Sequence, residues 1–317
     1  MPKLEPGAPL FLNGDVQPTY PELLQEVQRF WTPLPDKPEE TPEGLLCALW
    51  HTACGAPVSV ERAAPAELPA LDGAAYERLM TLLERRKSGV PLAHLTERQS
   101  FLGLELVAGP AALIPRKETE ILGRAALAKI ACLAKKRGEL LILDVCTGSG
   151  NLAAAYAYYE PLARVHASDL CADAVTLARR NVEHLKLGDR VDVRLGDLLE
   201  PFESPQFLGR CDFLSCNPPY ISAAKVKEMH PEISRHEPEA AFNGGVYGVS
   251  ILMKLLRQAP RFLRPDGWLG FEVGHGQGQG LGRQLERNPA FEAVETYADA
   301  AGEIRAILAK SRAAARA

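Results

Sequence analysis

The sequence predicts an α/β protein: a seven-stranded, doubly wound Rossmann-like sheet domain behind a small N-terminal helical domain. Three observations carry this expectation. Short apolar runs alternate with helix-length segments from Leu140 onward, a glycine-rich turn follows the first run, and residues 41–88 place apolar side chains at helical spacing. With 317 residues, the chain has room for one large domain or two at ~100–200 residues each. Hydrophobic residues make up 46% and charged residues 24%, enough for a sizeable core and against wholesale disorder.

The expected division is a helical domain with a proline-rich start over 1–95, taken as the substrate-recognition part, a connecting segment over 96–124, and the sheet domain over 125–317. Within the first, Leu45, Leu46, Leu49 and Trp50 share one helix face. Tyr76, Leu79, Met80 and Leu83 share another, on a helix that ends in ERRKSG with Gly89 as its stop. The basic residues of that last turn are expected to be solvated. In the sheet domain the expected strands are 140–145, 164–169, 190–195, 211–216 and 267–273, with two late ones near 293–297 and 305–309. Helices fill most gaps, and the glycine-rich stretch 274–282 is expected to be a mobile loop leading into a helix.

Lys and Arg total 36 against 40 Asp and Glu, a net charge of −4, which lacks the basic excess of a protein that grips phosphates. Direct nucleic-acid binding is therefore not expected. The seven cysteines include no CxxC pair, so neither a zinc site nor a disulfide ladder is suggested, and reduced, buried thiols are expected. The N-terminus lacks the apolar run of a signal peptide, and no apolar stretch approaches the ~20 residues of a membrane span. These features place the chain in the cytoplasm.

The run LLILDV leads into Cys146, Thr147, Gly148, Ser149 and Gly150 and then into an alanine-rich helix. Glycines let a ligand approach the backbone closely, and the following helix presents unpaired N–H groups. Asp169 ends the next expected strand, 19 positions beyond Gly150, where an acid can bond ribose hydroxyls. This pair of features leaves a nicotinamide dinucleotide and S-adenosylmethionine both open. Asp197 follows the third strand, where it can accept from an adenine amino group.

Asn217, Pro218, Pro219 and Tyr220 stand at the end of the fourth expected strand, at the edge where ligands of open α/β sheets bind. A flat amide or aromatic amine is a poor nucleophile because its lone pair is delocalised. Asn217 can accept one of its N–H groups and the Pro218 carbonyl the other, while Tyr220 lies against the planar group. His230 and His236, in the segment that follows, are expected to be surface or hydrogen-bonded residues rather than catalytic ones.

With these motifs in this order, the chain resembles the HemK (PrmC) family of protein-glutamine methyltransferases. The likeness runs from about Leu83 to Leu308 and includes RRKSGVPLAHLTERQSFLGLEL, LIPRKETEIL, DVCTGSG, NPPYIS, EPEAAFNGGVYG, FEVGHGQG and a late pattern of Asp299, Gly302 and Arg305. The resemblance implies a class I methyltransferase domain that uses S-adenosylmethionine and methylates the GGQ glutamine of class I release factors. It also implies that Cys146 to Gly150, Asp169, Asp197, Leu198 and Asn217 line the cofactor. Asn217, Pro218, Pro219 and Tyr220 would hold the substrate amide, with Phe101 as a further substrate contact and Arg116, Glu118 and Thr119 close by.

The chain departs from the family pattern at four places. Lys117 replaces a proline, Val145 and Cys146 replace Leu-Gly, Leu198 replaces a larger aromatic of some relatives, and Tyr247 stands at a usual acid position. Adenine N6 is another flat conjugated amine, so a nucleic-acid amino methyltransferase is the main alternative, beside a divergent paralogue acting on another protein or small-molecule amide. A dehydrogenase would leave NPPY without a role, and a non-catalytic module would have no reason to keep Asn217 to Tyr220 intact.

Overall fold

The computed structural model describes residues 11–12, 15–16, 18–221, 231–242 and 249–312. The chain divides into two units, Met1–Ser100 and Phe101–Ala317. Residues 101–124 therefore belong to the second unit, and the segment contributes Leu104, Leu106 and Leu122 to its core.

In the first unit each main helix begins at a residue whose side chain can cap it. Thr19 and Glu22 form a capping box on Tyr20–Phe30, Thr41 accepts from the Gly44 N–H ahead of Pro42–Ala53, and Asp72 accepts from the Ala75 N–H at the start of Gly73–Lys87. Two short helices, Val60–Ala63 and Leu92–Thr96, complete the set. Their apolar stripes meet in one core that holds Leu45, Leu46, Leu49, Trp50, Leu79 and Leu83. Arg86 departs from the expected solvated helix end. It is 9% exposed and pairs with Glu40 at 3.3 Å, because its position three residues after Leu83 carries it to the buried side of the helix.

The second unit is built on a seven-stranded sheet. Its strands are β1 (Leu140–Val145), β2 (Ala163–Asp169), β3 (Val191–Leu195), β4 (Cys211–Cys216), β5 (Leu263–Glu272), β6 (Phe291–Ala298) and β7 (Ile304–Ser311). Their order is β6-β7-β5-β4-β1-β2-β3. The strands from β1 to β5 run parallel, and β7 enters antiparallel between β5 and β6. Alternation along β1 sends Leu140 and Ile142 into one apolar cluster and Leu143 and Val145 into another. The helices Thr119–Arg137, Asn151–Tyr159 and Ala172–His184 contribute to the first cluster, Ser250–Phe262 and Gly278–Glu286 to the second.

Two differences from the expected boundaries stand out, beside shifts of one or two residues at other strand ends. Strand β5 begins at Leu263 rather than at 267, and its pairing with β4 slips between Cys211 and Phe213. Pro265 lacks a donor for the ladder and Asp266 sits at φ 61, so the irregularity reads as a turn in sequence. The glycine-rich stretch is only half loop, since the helix starts at Gly278, where a Cβ would come within 2.5 Å of the Ile304 Cβ.

Candidate active site

The glycine turn is set by the strand before it. After β1, Cys146 and Gly148 both take φ 55 and Gly150 takes φ 78, left-handed values that cost a non-glycine residue ~1–2 kcal/mol. The Thr147 N–H donates to the Ser168 carbonyl at 3.0 Å and the Gly150 N–H to the Thr147 carbonyl at 2.8 Å, closing the turn against β2. Gly150 is the N-cap of Asn151–Tyr159, and a Cβ there would lie 3.1 Å from that of Ala178. The Ser149 hydroxyl is buried in this turn without a hydrogen-bond partner. Cys146, which stands where the family pattern has glycine, lies near enough to the Cys216 thiol to add to the rise that burial causes there.

Three acids surround the turn. Asp144 is fully buried and accepts from the Thr147 and Ser215 hydroxyls, each at 2.6 Å. Burial nonetheless pushes its carboxyl up to about 6. Asp169 accepts from the backbone N–H groups of Gly148 (2.8 Å) and Cys171 (2.9 Å) and is raised by burial. Each of its oxygens keeps a lone pair for a further donor. The Asp197 Oδ2 is 2.5 Å from the Lys254 Nζ, leaving Oδ1 outside that ion pair. Leu198 beside it is buried at φ 51. Leu170 and Leu195, at the carboxyl ends of β2 and β3, are 73% and 56% exposed, an apolar surface left uncovered beside polar groups.

The NPPY segment leaves β4 next to β1. Val145 pairs with Cys216 in the ladder, so the glycine turn and Asn217 start from neighbouring strand ends. The Asn217 Nδ2 donates to the Thr119 Oγ1 at 3.2 Å, which leaves its Oδ1 as the acceptor turned away from that contact. Pro218 is buried and Pro219 half-buried. The Tyr220 hydroxyl donates to the Glu272 Oε1 at 2.9 Å, and burial together with that carboxylate holds the phenol well above its ordinary range. The Gln277 Nε2 donates to the Tyr220 carbonyl at 3.1 Å, and a Cβ on Gly274 would lie 2.9 Å from the Tyr220 Cδ2.

Glu272 and Gln277 stand in the quoted FEVGHGQG stretch, where only their family pattern gave a signal. Lys254 gave none, because it lies on a helix 57 positions from Asp197. Among the described residues no group of three or more His, Cys, Asp and Glu could hold a metal ion, and no helix is long and apolar enough to cross a membrane.

Comparison with known proteins decides the family. A release factor glutamine methyltransferase of Moorella thermoacetica is 36% identical over 239 residues, 75% of this chain and 81% of the relative. One of Streptomyces coelicolor is 39% identical over 201 residues, 63% of this chain and 69% of the relative. The chain belongs to the release factor glutamine methyltransferase family. The Methyltransferase small domain family matches residues 123–246. The hMettl16 catalytic domain, solved with the MAT2A 3′UTR hairpin 6, shares the fold at a TM-score of 0.51 and 16% identity, over 77% of this chain and 83% of that one.

As a member of the release factor glutamine methyltransferase family, the chain can be followed through its departures. Lys117, in the proline position, pairs with Glu120 at 2.8 Å, and Glu120 also accepts from the Leu102 N–H at 3.0 Å. Arg116 bonds Glu237 of the EPEAAF stretch at 2.5 Å, and the same carboxylate accepts from the Ile114 N–H. Glu118 lies near enough to Tyr220 and Glu272 to raise both. Phe101 is not gathered with these groups: at 0% exposure it is part of the core cluster that holds Leu102, Leu104 and Leu122. Tyr247 and His230 lie outside the described residues, and His236 ends the helix Pro231–His236 half-buried. Of the seven cysteines, Cys47, Cys211 and Cys216 are buried, Cys132 is exposed and none is in a disulfide.

Proposed function

We propose that this chain transfers a methyl group from S-adenosylmethionine to the side-chain amide nitrogen of the GGQ glutamine in class I release factors, in the cytoplasm where those factors act. The observation that carries the reading is the orientation of Asn217. Its amide N–H is engaged by Thr119, so its carbonyl oxygen is the group left to receive a substrate N–H.

The residues around the turn fit an adenosyl cofactor. The buried Ser149 hydroxyl lacks a partner, the left-handed glycines bring the backbone close, and Asp169 and Asp197 offer acceptors for ribose and adenine. Leu170 and Leu195 supply the apolar surface that a purine face prefers. When bound, the cofactor supplies an electrophilic methyl group on a sulfonium.

Asn217 and the Pro218 carbonyl then accept the two N–H groups of the glutamine amide, and Tyr220 limits its rotation. Alignment of this kind is worth effective molarities of up to ~10⁵ M or more, so no general base is needed at the start. The methylated nitrogen is acidic and loses its extra proton to water. The helical unit Met1–Ser100 is assigned to recognition of the release factor.

The test is incubation with methyl-labelled S-adenosylmethionine and the host's release factors, followed by mass spectrometry of the GGQ peptide. One added methyl on that glutamine is expected. Asn217→Ala is expected to lower kcat by ~10²–10³, the usual loss for one transition-state hydrogen bond, while calorimetry still detects the cofactor. A peptide left unmodified by wild-type protein that binds the cofactor would overturn the assignment of substrate.

A further inference from the structure

We infer that Asn181 is a positioning residue that holds the glycine turn in its ligand-ready shape by gripping the Ser149 carbonyl from the helix Ala172–His184. The inference rests on the reading of that turn as the seat of S-adenosylmethionine, which gives its shape a consequence for binding.

Asn181 is fully buried on a helix whose inward residues are otherwise apolar, Val175, Ala178 and Val182 among them. Asparagine is a poor helix former, and a buried amide is costly unless its hydrogen bonds are made. Its Oδ1 accepts from the Val107 N–H at 2.7 Å, and its Nδ2 donates to the Val107 carbonyl at 3.0 Å and to the Ser149 carbonyl at 2.9 Å. With Val107, the last residue of the strand Leu104–Val107, the side chain makes the two-bond pair that a neighbouring strand would make. The Val107 N–H fixes the direction of the amide, since turning it over would set Nδ2 against that N–H and Oδ1 against the Ser149 carbonyl.

The third bond is the one that reaches the site. The peptide between Ser149 and Gly150 is planar, with its C=O and N–H on opposite sides. Its carbonyl is held by Asn181 and its N–H by the Thr147 carbonyl at 2.8 Å, so the plane is clamped at both edges. Ala178, three residues before Asn181, meets Gly150 from the same helix face, where a Cβ on the glycine would lie 3.1 Å from its own. A glycine turn changes shape most cheaply by rotating such a peptide, which alters φ of the glycine that follows; at Gly150 that angle is 78°. Without Asn181 one edge of the peptide is released, and the turn has to be reordered each time the cofactor binds. The apparent affinity then falls in proportion to the fraction of molecules that hold the competent shape.

The experiment measures amide hydrogen exchange in the cofactor-free protein and S-adenosylmethionine affinity by calorimetry, for wild type, Asn181→Asp and the milder Asn181→Ser. The carboxylate of Asn181→Asp keeps an acceptor for the Val107 N–H and lacks a donor for the Ser149 carbonyl. In both variants the Gly150 amide is expected to exchange about tenfold faster, the loss of one hydrogen bond. The β1 amides should be unchanged, and the Val107 amide should stay protected in Asn181→Asp. Cofactor affinity should fall by about the same factor as the Gly150 protection. A Gly150 amide that keeps its wild-type protection in both variants, or one that exchanges faster with cofactor affinity unchanged, would overturn the inference. So would an equal loss of protection at Gly150 and along β1, which marks a brace of the whole sheet rather than of the turn. A wild type that binds no S-adenosylmethionine refutes instead the reading of the turn, and the Gly150 exchange rates still decide whether Asn181 holds it.

Discussion

Replacing Asp144 by Asn tests how the sheet tolerates a charge at its centre. The carboxyl is fully buried, and its pKa rises from 3.8 to about 6 on folding. The folded state thus holds the proton more tightly than the unfolded chain does. That contribution to stability is complete below the unfolded value and is lost as pH rises through about 6. At ~1.4 kcal/mol per pK unit, the ionised form makes the sheet unit about 3 kcal/mol less stable at pH 8 than its protonated form would. Asp144→Asn removes this dependence but turns an NH2 toward one of two hydroxyls that now donate, those of Thr147 and Ser215. That mismatch costs ~1 kcal/mol. The variant is expected to be less stable than wild type near pH 4 and about 2 kcal/mol more stable at pH 8. Native-state hydrogen exchange at the amides of β1 and β4, corrected for intrinsic rates, reads the sheet unit directly. Parallel stability curves for the two proteins from pH 4 to 8 would refute the reasoning.

Asp169→Asn leaves the Gly148 or Cys171 N–H facing an NH2, and calorimetry should find cofactor affinity about 10- to 100-fold weaker, the worth of one hydrogen bond to a charged group. An unchanged Kd would remove Asp169 from the binding site. Gly274→Ala pushes a methyl group against the Tyr220 ring, 2.9 Å from its Cδ2; kcat/KM for the release factor should fall at least tenfold with cofactor affinity retained. Arg86→Met removes the cation paired with the buried Glu40 carboxylate and should destabilise the helical unit in chemical denaturation, by up to ~3–5 kcal/mol. Adding Glu40→Leu should recover most of that loss, and if it does not, the pair is not what the substitution disturbed.

Much of the second unit is legible because parallel strands buried on both faces read as continuous apolar runs. Strands β1 and β4 match the expected 140–145 and 211–216 residue for residue. The glycine turn and NPPY were locatable for the same reason, since each directly follows such a run. The groups that steer those motifs were hidden. Glu272 acts on Tyr220 from 52 positions away and is marked only by the FEVGHGQG stretch, while Lys254 reaches Asp197 from the helix Ser250–Phe262 and leaves no local pattern. Three basic residues in succession suggest a helix end in water, yet Arg86, three residues after Leu83, turns to the buried side and pairs with Glu40. Phe101 drew attention through its motif, whereas in the structure it is fully buried in the core cluster with Leu104 and Leu122. The start of β5 was obscured by Pro265 and Gly267, residues that punctuate loops far more often than strands.

The pairing of Val145 with Cys216 acts as a ruler. Adjacent strands lie ~4.8 Å apart, and the glycine turn and Asn217, the proposed cofactor site and amide acceptor, are mounted on the ends of two such strands. On that proposal the separation of methyl donor and acceptor is inherited from the backbone hydrogen bonding between β1 and β4. Loops on either side can drift in sequence without changing that distance. With the proposed roles, a substitution that loosens the ladder between β1 and β4 lengthens the path of the methyl group.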